Sequence, residues 1–179
     1  MRAHTWLAPA LITFLLALTG CAGPSVDQYQ GNQPGFAPQE FFQGDLTAHG
    51  VLKNRSGDVT RYFNATIKAN WKNGIGTLEE RFEFDDGEIQ YRTWTLTPTS
   101  DTTFDATAGD VIGTGTGATA GNALNLKYVL EVDYNDSKLA LAVDDWMWRV
   151  DQRTVINQST LSKWGFTVGT IQLVISKTP

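Results

Sequence analysis

Asp144 and Asp145 stand beside Trp146 and Trp148 in the stretch LAVDDWMWRV, residues 141 to 150. Paired carboxylates are what general acid–base chemistry needs, provided both reach one substrate. Glu80, Arg149 and His49 are the other side chains placed to offer chemistry. Beyond these the inventory is short. Cys21 is the only cysteine, and His4 and His49 are the only histidines, so no pair of imidazoles can be assembled for zinc once the first twenty residues are removed. DYNDSK, residues 133 to 138, has the start of a calcium loop but lacks its glycine and its closing glutamate. GTGTGATAGN, residues 113 to 122, has no Lys-Ser/Thr and no helix after it, so it is not a phosphate loop.

Whether the carboxylates act together depends on the elements that carry them. From Phe41 onward period-2 alternation is broken by Ser56-Gly57, Asn73-Gly74, Asp86-Gly87, Gly121-Asn122 and Asn135-Asp136. Asn-Gly and Asp-Gly suit two-residue hairpin loops, in which both central residues take positive φ. Such loops fix register. Asn73-Gly74 sets Phe63 against Phe84, Ala65 against Phe82 and Lys68 against Glu79. Asp86-Gly87, read the same way, sets Phe84 against Ile89, Phe82 against Tyr91 and Glu80 against Thr93. Gly121-Asn122 sets Leu124, Leu126 and Tyr128 against Thr119, Gly117 and Gly115, small residues facing large ones. Asn135-Asp136 pairs Asp133 with Lys138, Lys127 with Asp144, Leu130 with Leu141 and Tyr128 with Val143.

These registers answer the question of the two aspartates. Leu139, Leu141, Val143, Asp145, Met147 and Arg149 point inward, whereas Asp144, Trp146 and Trp148 point outward. Adjacent residues of a strand face opposite ways, so the pair cannot share a proton. About eight to ten strands with one apolar face predict an all-β, up-and-down antiparallel barrel of lipocalin-like (calycin) type. A two-sheet sandwich is the other architecture compatible with the pattern.

The inward polar residues Glu80, Asp145 and Arg149 admit two readings. They form an internal ion pair, assisted by Tyr91 or Tyr128, or they are the convergent polar groups of an apolar cavity. In the second case Phe63, Ile67, Phe82, Phe84, Leu130 and Met147 would hold an apolar tail, with its polar end near Arg149. Trp94, Trp146 and Trp148, all assigned outward, mark a surface that is covered by another part of the chain or contacts a partner protein or membrane. No catalytic residue and no cofactor is expected. An enzyme would have to use Glu80 or Asp145 as its base.

The N-terminus predicts where the protein works. Arg2 and His4, an apolar run from Trp6 to Leu18, and Leu18-Thr19-Gly20-Cys21 form a secretory signal over residues 1–20. The run is too short to span a bilayer. Leu-Thr-Gly-Cys resembles the bacterial lipobox, in which the cysteine is lipidated before cleavage. Ala22 in place of aspartate favours the outer membrane. Residues 21–40, rich in Pro and Gly, read as a tether, with Tyr29 and Phe36 the contacts if part of it packs. Residues 41–179 form the barrel. Without the signal the chain holds 13 basic and 19 acidic residues, a charge of −6, which argues against a nucleic-acid partner.

The blocks DDGEIQYRTW (85–94), DVIGTGTGATAGNAL (110–124), DDWMW (144–148) and SKWGF (162–166) resemble an uncharacterised proteobacterial lipoprotein family, a domain of unknown function. The resemblance spans roughly Phe41 to the C-terminus. It implies a lipobox protein with a lipocalin-like fold and carries over no activity or catalytic residue. The expected function is a lipid-anchored barrel on the periplasmic face of the outer membrane that binds or carries an apolar small molecule or lipid. The alternative is a filled barrel, an envelope protein that docks a partner through its tryptophan surface.

Overall fold

The structure, a computed structural model, describes residues 23–178. The expected signal and Cys21 lie outside the described residues. Ten antiparallel strands follow one another around a closed barrel: β1 (Gly44–Asn54), β2 (Val59–Lys72), β3 (Ile75–Phe84), β4 (Ile89–Pro98), β5 (Thr103–Thr107), β6 (Gly115–Ala120), β7 (Ala123–Tyr134), β8 (Ser137–Arg149), β9 (Thr154–Lys163) and β10 (Phe166–Lys177). β10 pairs with β1, from Leu46↔Lys177 to Asn54↔Gly169, so no sheet edge is left open. The architecture is the expected up-and-down, lipocalin-like barrel and not a sandwich.

Three of the four hairpin registers hold. Asn73 and Gly74 both take positive φ and leave Lys72 opposite Ile75, which puts Phe63 against Phe84 and Lys68 against Glu79. Asn135 and Asp136 do the same and leave Tyr134 opposite Ser137. Gly121-Asn122 gives Ala120↔Ala123 and Thr119↔Leu124. The small-against-large pairing is tight there, for a Cβ on Gly115 would lie 2.9 Å from Tyr128 Cβ, and one on Gly117 would lie 2.1 Å from the ring of Phe104 on the neighbouring β5.

The fourth is off by one residue. Phe84 N–H donates to Glu88 O and Gly87 N–H to Phe84 O, so the loop has three residues, with only Gly87 at positive φ (85°). This is a type I turn completed by a glycine bulge, the other loop that Asp-Gly supports. Asp86 holds it by accepting from Glu88 N–H (3.0 Å) and from Arg61 (2.8 Å). Glu83 therefore faces Ile89, Phe82 faces Gln90 and Glu80 faces Arg92. Because side chains alternate with a period of two, one residue of slip turns all of β4 over. Arg92, Trp94 and Leu96 face inward, while Tyr91 and Thr93 face out.

The two ends of the barrel differ. The β1–β2, β3–β4, β5–β6, β7–β8 and β9–β10 connections lie at one end, and the chain enters and leaves the barrel at the other. That second end is stoppered. Phe41 packs edge to face on Phe36 and Phe42, the three centroids lie 5.3–5.8 Å apart and all join the core, and Trp71 Nε1 donates to Phe42 O (2.7 Å). Burying each ring contributes about 1.5–3 kcal/mol.

The preceding residues are mostly exposed but touch the barrel wall, so part of the segment expected as a tether packs, with Tyr29 and Phe36 as its contacts. A 3₁₀ turn, Val26–Tyr29, begins at Ser25, whose side chain accepts from Asp27 N–H. It lays Tyr29 over Trp146 and Trp148, with centroids 5.8 and 6.4 Å away. The two indoles stack on each other at 6.0 Å, and Trp146 is buried. Of the two readings for these outward tryptophans, cover by the chain's own N-terminal segment is the one observed.

Candidate functional site

The barrel encloses a cavity of about 730 Å³, within the range of small-molecule sites. Its lining runs from Phe42 at the stoppered end to Leu52, Arg61, Glu88, Asp110 and Lys138 among the hairpins, which makes the hairpin end the mouth. Phe63, Ile67, Glu80, Phe82, Phe84, Tyr128, Leu130, Asp145 and Met147 line it as expected. Each is an inward position of β2, β3, β7 or β8, the strands whose registers were legible.

Three expected positions need correction. Tyr91 is turned outward by the β4 slip and is 74% exposed, beside its partner Arg81, so it borders the cavity without filling it. Trp94 makes the opposite move, from the outer surface to the interior, where it packs edge to face on Tyr128 at 5.1 Å. Arg149 points inward and is buried, but at the stoppered end and away from the cavity. Its guanidinium donates to Gly35 O (2.8 Å) and Gln152 Oε1 (2.8 Å) and pairs with Glu40 at 2.9 Å. It fastens the N-terminal segment and meets neither Asp145 nor Glu80.

Arg92, Asp110, Asn157 and Ser159 are the polar groups missed by sequence reasoning. Arg92 was hidden by the β4 register. Asp110 sits in the β5–β6 connection, where alternation carries no information, and it takes Arg92 in a bidentate pair, Nε on Oδ1 at 3.1 Å and Nη2 on Oδ2 at 2.6 Å. Asn157 and Ser159 alternate along β9 and both donate to Asp145 Oδ1, Ser159 at 2.7 Å.

Burial sets the charge state of this cluster. Desolvation raises the Glu80 carboxyl to about 7, against the lowering influence of Arg92 and the Trp94 indole, and Asp145 and Asp110 add to the rise. Asp145 goes up to about 6 for the same first reason, moderated by Asn157, Ser159 and Arg92. The Tyr128 hydroxyl is pushed well above its usual range by burial and by Asp145. What surface Glu80 keeps exposed faces the cavity.

A carboxyl whose folded pKa lies above its unfolded value binds its proton more tightly in the native state. Its contribution to stability is therefore full below about pH 4.5 and is lost as pH rises through about 7. Glu80→Gln, which mimics the protonated acid, is expected to raise stability by about 1–3 kcal/mol at pH 8. At pH 4.5 it should change little. Urea unfolding at the two pH values checks both the sign and the window.

A shallower groove of about 620 Å³ on the outer wall includes His49, Tyr62, Trp148 and Val174. His49 Nδ1 bonds Asn64 Oδ1 there (2.6 Å), outside the cavity.

Among solved structures, the chain is similar to the S-type phycobiliprotein lyase CPES from Guillardia theta, with a TM-score of 0.55 and 13% identity over 87% of this chain and 99% of that one. At this identity the likeness is one of fold, and it agrees with the lipocalin-like barrel. EF1p2_mFAP2b bound to DFHBI also matches, at a TM-score of 0.40 and 8% identity over 77% of this chain and 94% of that one. No curated protein matches the chain. The family described as "Protein of unknown function (DUF3833)" matches residues 15–177, and the chain belongs to that family.

Proposed function

We propose that the protein binds and carries an apolar small molecule or lipid tail within its barrel. It does so as a non-catalytic protein anchored through a lipid on Cys21 to the periplasmic face of the outer membrane. The observation that carries this reading is the cavity: about 730 Å³, open at the hairpin end, with aromatic and aliphatic walls and a few convergent polar groups. The anchor rests on the signal and lipobox sequence. With residues 25–42 laid over the stoppered end and the adjacent wall, a lipid on Cys21 would hold that end toward the bilayer and turn the mouth away from it.

The alternative, an envelope protein docking a partner through Trp94, Trp146 and Trp148, has less behind it. Trp94 is interior, Trp146 lies under Tyr29, and Trp148 is half-buried.

N-phenyl-1-naphthylamine, a neutral apolar fluorophore, should bind saturably with a large gain in emission. Leu130→Trp, which fills the middle of the cavity, should weaken that binding at least about tenfold, a loss of about 1.4 kcal/mol. Absence of a saturable signal in the wild type would overturn the carrier reading. Mass spectrometry of the mature protein tests the anchor separately, and an unmodified Cys21 would remove it.

A further inference from the structure

Each cation lining the cavity is paired with an acid, although Arg61 Nε itself has no hydrogen-bond partner among the described residues. Arg61 pairs with Asp86 (2.7 Å) and Glu88 (2.8 Å), Arg92 with Asp110 (2.6 Å), and Lys138 with Asp133 (2.9 Å) and Glu131 (3.6 Å). Arg61 also lies flat over Phe84, 3.7 Å from the ring centre. The two deepest acids have no such partner. Among the described residues Glu80 and Asp145 make no ion pair, and the two hydrogen bonds that Asp145 accepts from Asn157 and Ser159 both land on Oδ1. Both carboxyls line the cavity.

A buried carboxylate is costly until a positive charge or a strong donor meets it. An anionic head entering this cavity would meet two carboxyls, with every guanidinium and ammonium already neutralised. A cationic head would complete a pair that the protein itself leaves incomplete. We infer that the guest carries a protonated amine or equivalent cationic nitrogen on an apolar body, seated between Glu80 and Asp145, and that anionic lipids such as fatty acids are rejected. This rests on the carrier reading above and specifies its ligand class.

The groups that face Glu80 are Arg92 from β4, Asp110 from the β5–β6 connection, Asp145 from β8 and Trp94, with Ile67 opposite on β2. Asp145 is in turn faced by Asn157 and Ser159 from β9 and by Tyr128 from β7. Of these, Glu80 and Asp145 change charge between pH 5 and 8. Amine binding should therefore strengthen as pH rises through 6 to 7 and the carboxyls ionise.

The test is displacement of N-phenyl-1-naphthylamine by dodecylamine, dodecanol and dodecanoate, which share a tail and differ in head charge. At pH 8 dodecylamine should displace the probe at a concentration at least tenfold below dodecanoate, with dodecanol between them. The preference should survive 0.5 M salt, which screens the acidic outer surface but not an internal pair. It should collapse at pH 5, and in Glu80→Gln and Asp145→Asn. Thermal unfolding of the same variants separates loss of the site from loss of the fold. Displacement by dodecanoate as good as by the amine, or an amine preference untouched in the Glu80→Gln, Asp145→Asn double variant, would overturn the inference while leaving the carrier reading intact. Failure of the probe and all three amphiphiles to bind would instead remove the carrier reading, and this inference with it.

Discussion

Arg149→Met should lower the unfolding free energy by about 3 kcal/mol, because it strips donors from several groups at once. The guanidinium is 2% exposed and serves Gly35 O, Asp151 O and Gln152 Oε1 as well as the Glu40 carboxylate. Its face also lies 5.7 Å from the centre of the Phe41 ring. Methionine restores most of the volume but none of the donors, so the loss measures polar fastening and not packing. Thermal unfolding should show a midpoint lower by about 6–12 °C, since a domain of this size shifts about 2–4 °C per kcal/mol. A shift under 2 °C would mean that the carbonyls find other partners and that Arg149 is not what holds the N-terminal segment.

Gly121→Ala should cost a similar amount, about 3 kcal/mol, by a different route. Gly121 sits at φ +53°, and a Cβ there would come within 1.7 Å of Tyr29 O and 3.0 Å of Asn32 N. Left-handed geometry alone costs a residue with a side chain about 1–2 kcal/mol. The collision adds to this, because the obstacle is backbone and must move as a segment. Moving it also strains the bond from Phe36 N–H to Gly121 O (2.7 Å). Displacement of Tyr29 should expose Trp146 and Trp148, so acrylamide should quench the variant's fluorescence more strongly than the wild type's. Both substitutions release the same segment, so the double variant should lose clearly less than the sum of the two. Additive losses would show two independent attachments.

The difference between what could and could not be read from the chain follows from turn chemistry. Asn73-Gly74 and Asn135-Asp136 place positive φ on both loop residues, and there the pairings followed from the letters alone. Asp86-Gly87 is compatible with two loop lengths. The one adopted is held by the Asp86 side chain, which reaches Glu88 N–H in a local Asx turn and Arg61 twenty-five residues away, and only the second contact lies beyond any local pattern. That single residue of slip carried Arg92 and Trp94 into the cavity and left Tyr91 at its edge, with its ring largely exposed. Arg149 was legible as an inward residue but not as a fastener, because parity gives the face of a strand and not the height along it. The Arg92–Asp110 pair joins residues eighteen apart through an irregular connection and left no periodic trace. The covered tryptophans were legible as an anomaly, and what resolved it was the packing of Tyr29.

Pairing of β1 with β10 has a consequence for how the chain is made. The two strands that seal the sheet are the first and the last of the ten to emerge during synthesis, with Leu46 partnered by Lys177. Until the final strand arrives, β1 and β9 each present a row of unsatisfied amides and carbonyls. Contacts of such long sequence separation are also slow to form, because the loop must close before they reward it. The nascent barrel is therefore a strand-addition template for its whole elongation. A chain halted before Phe166 would keep that stickiness permanently, so premature termination should yield aggregate and not a smaller barrel.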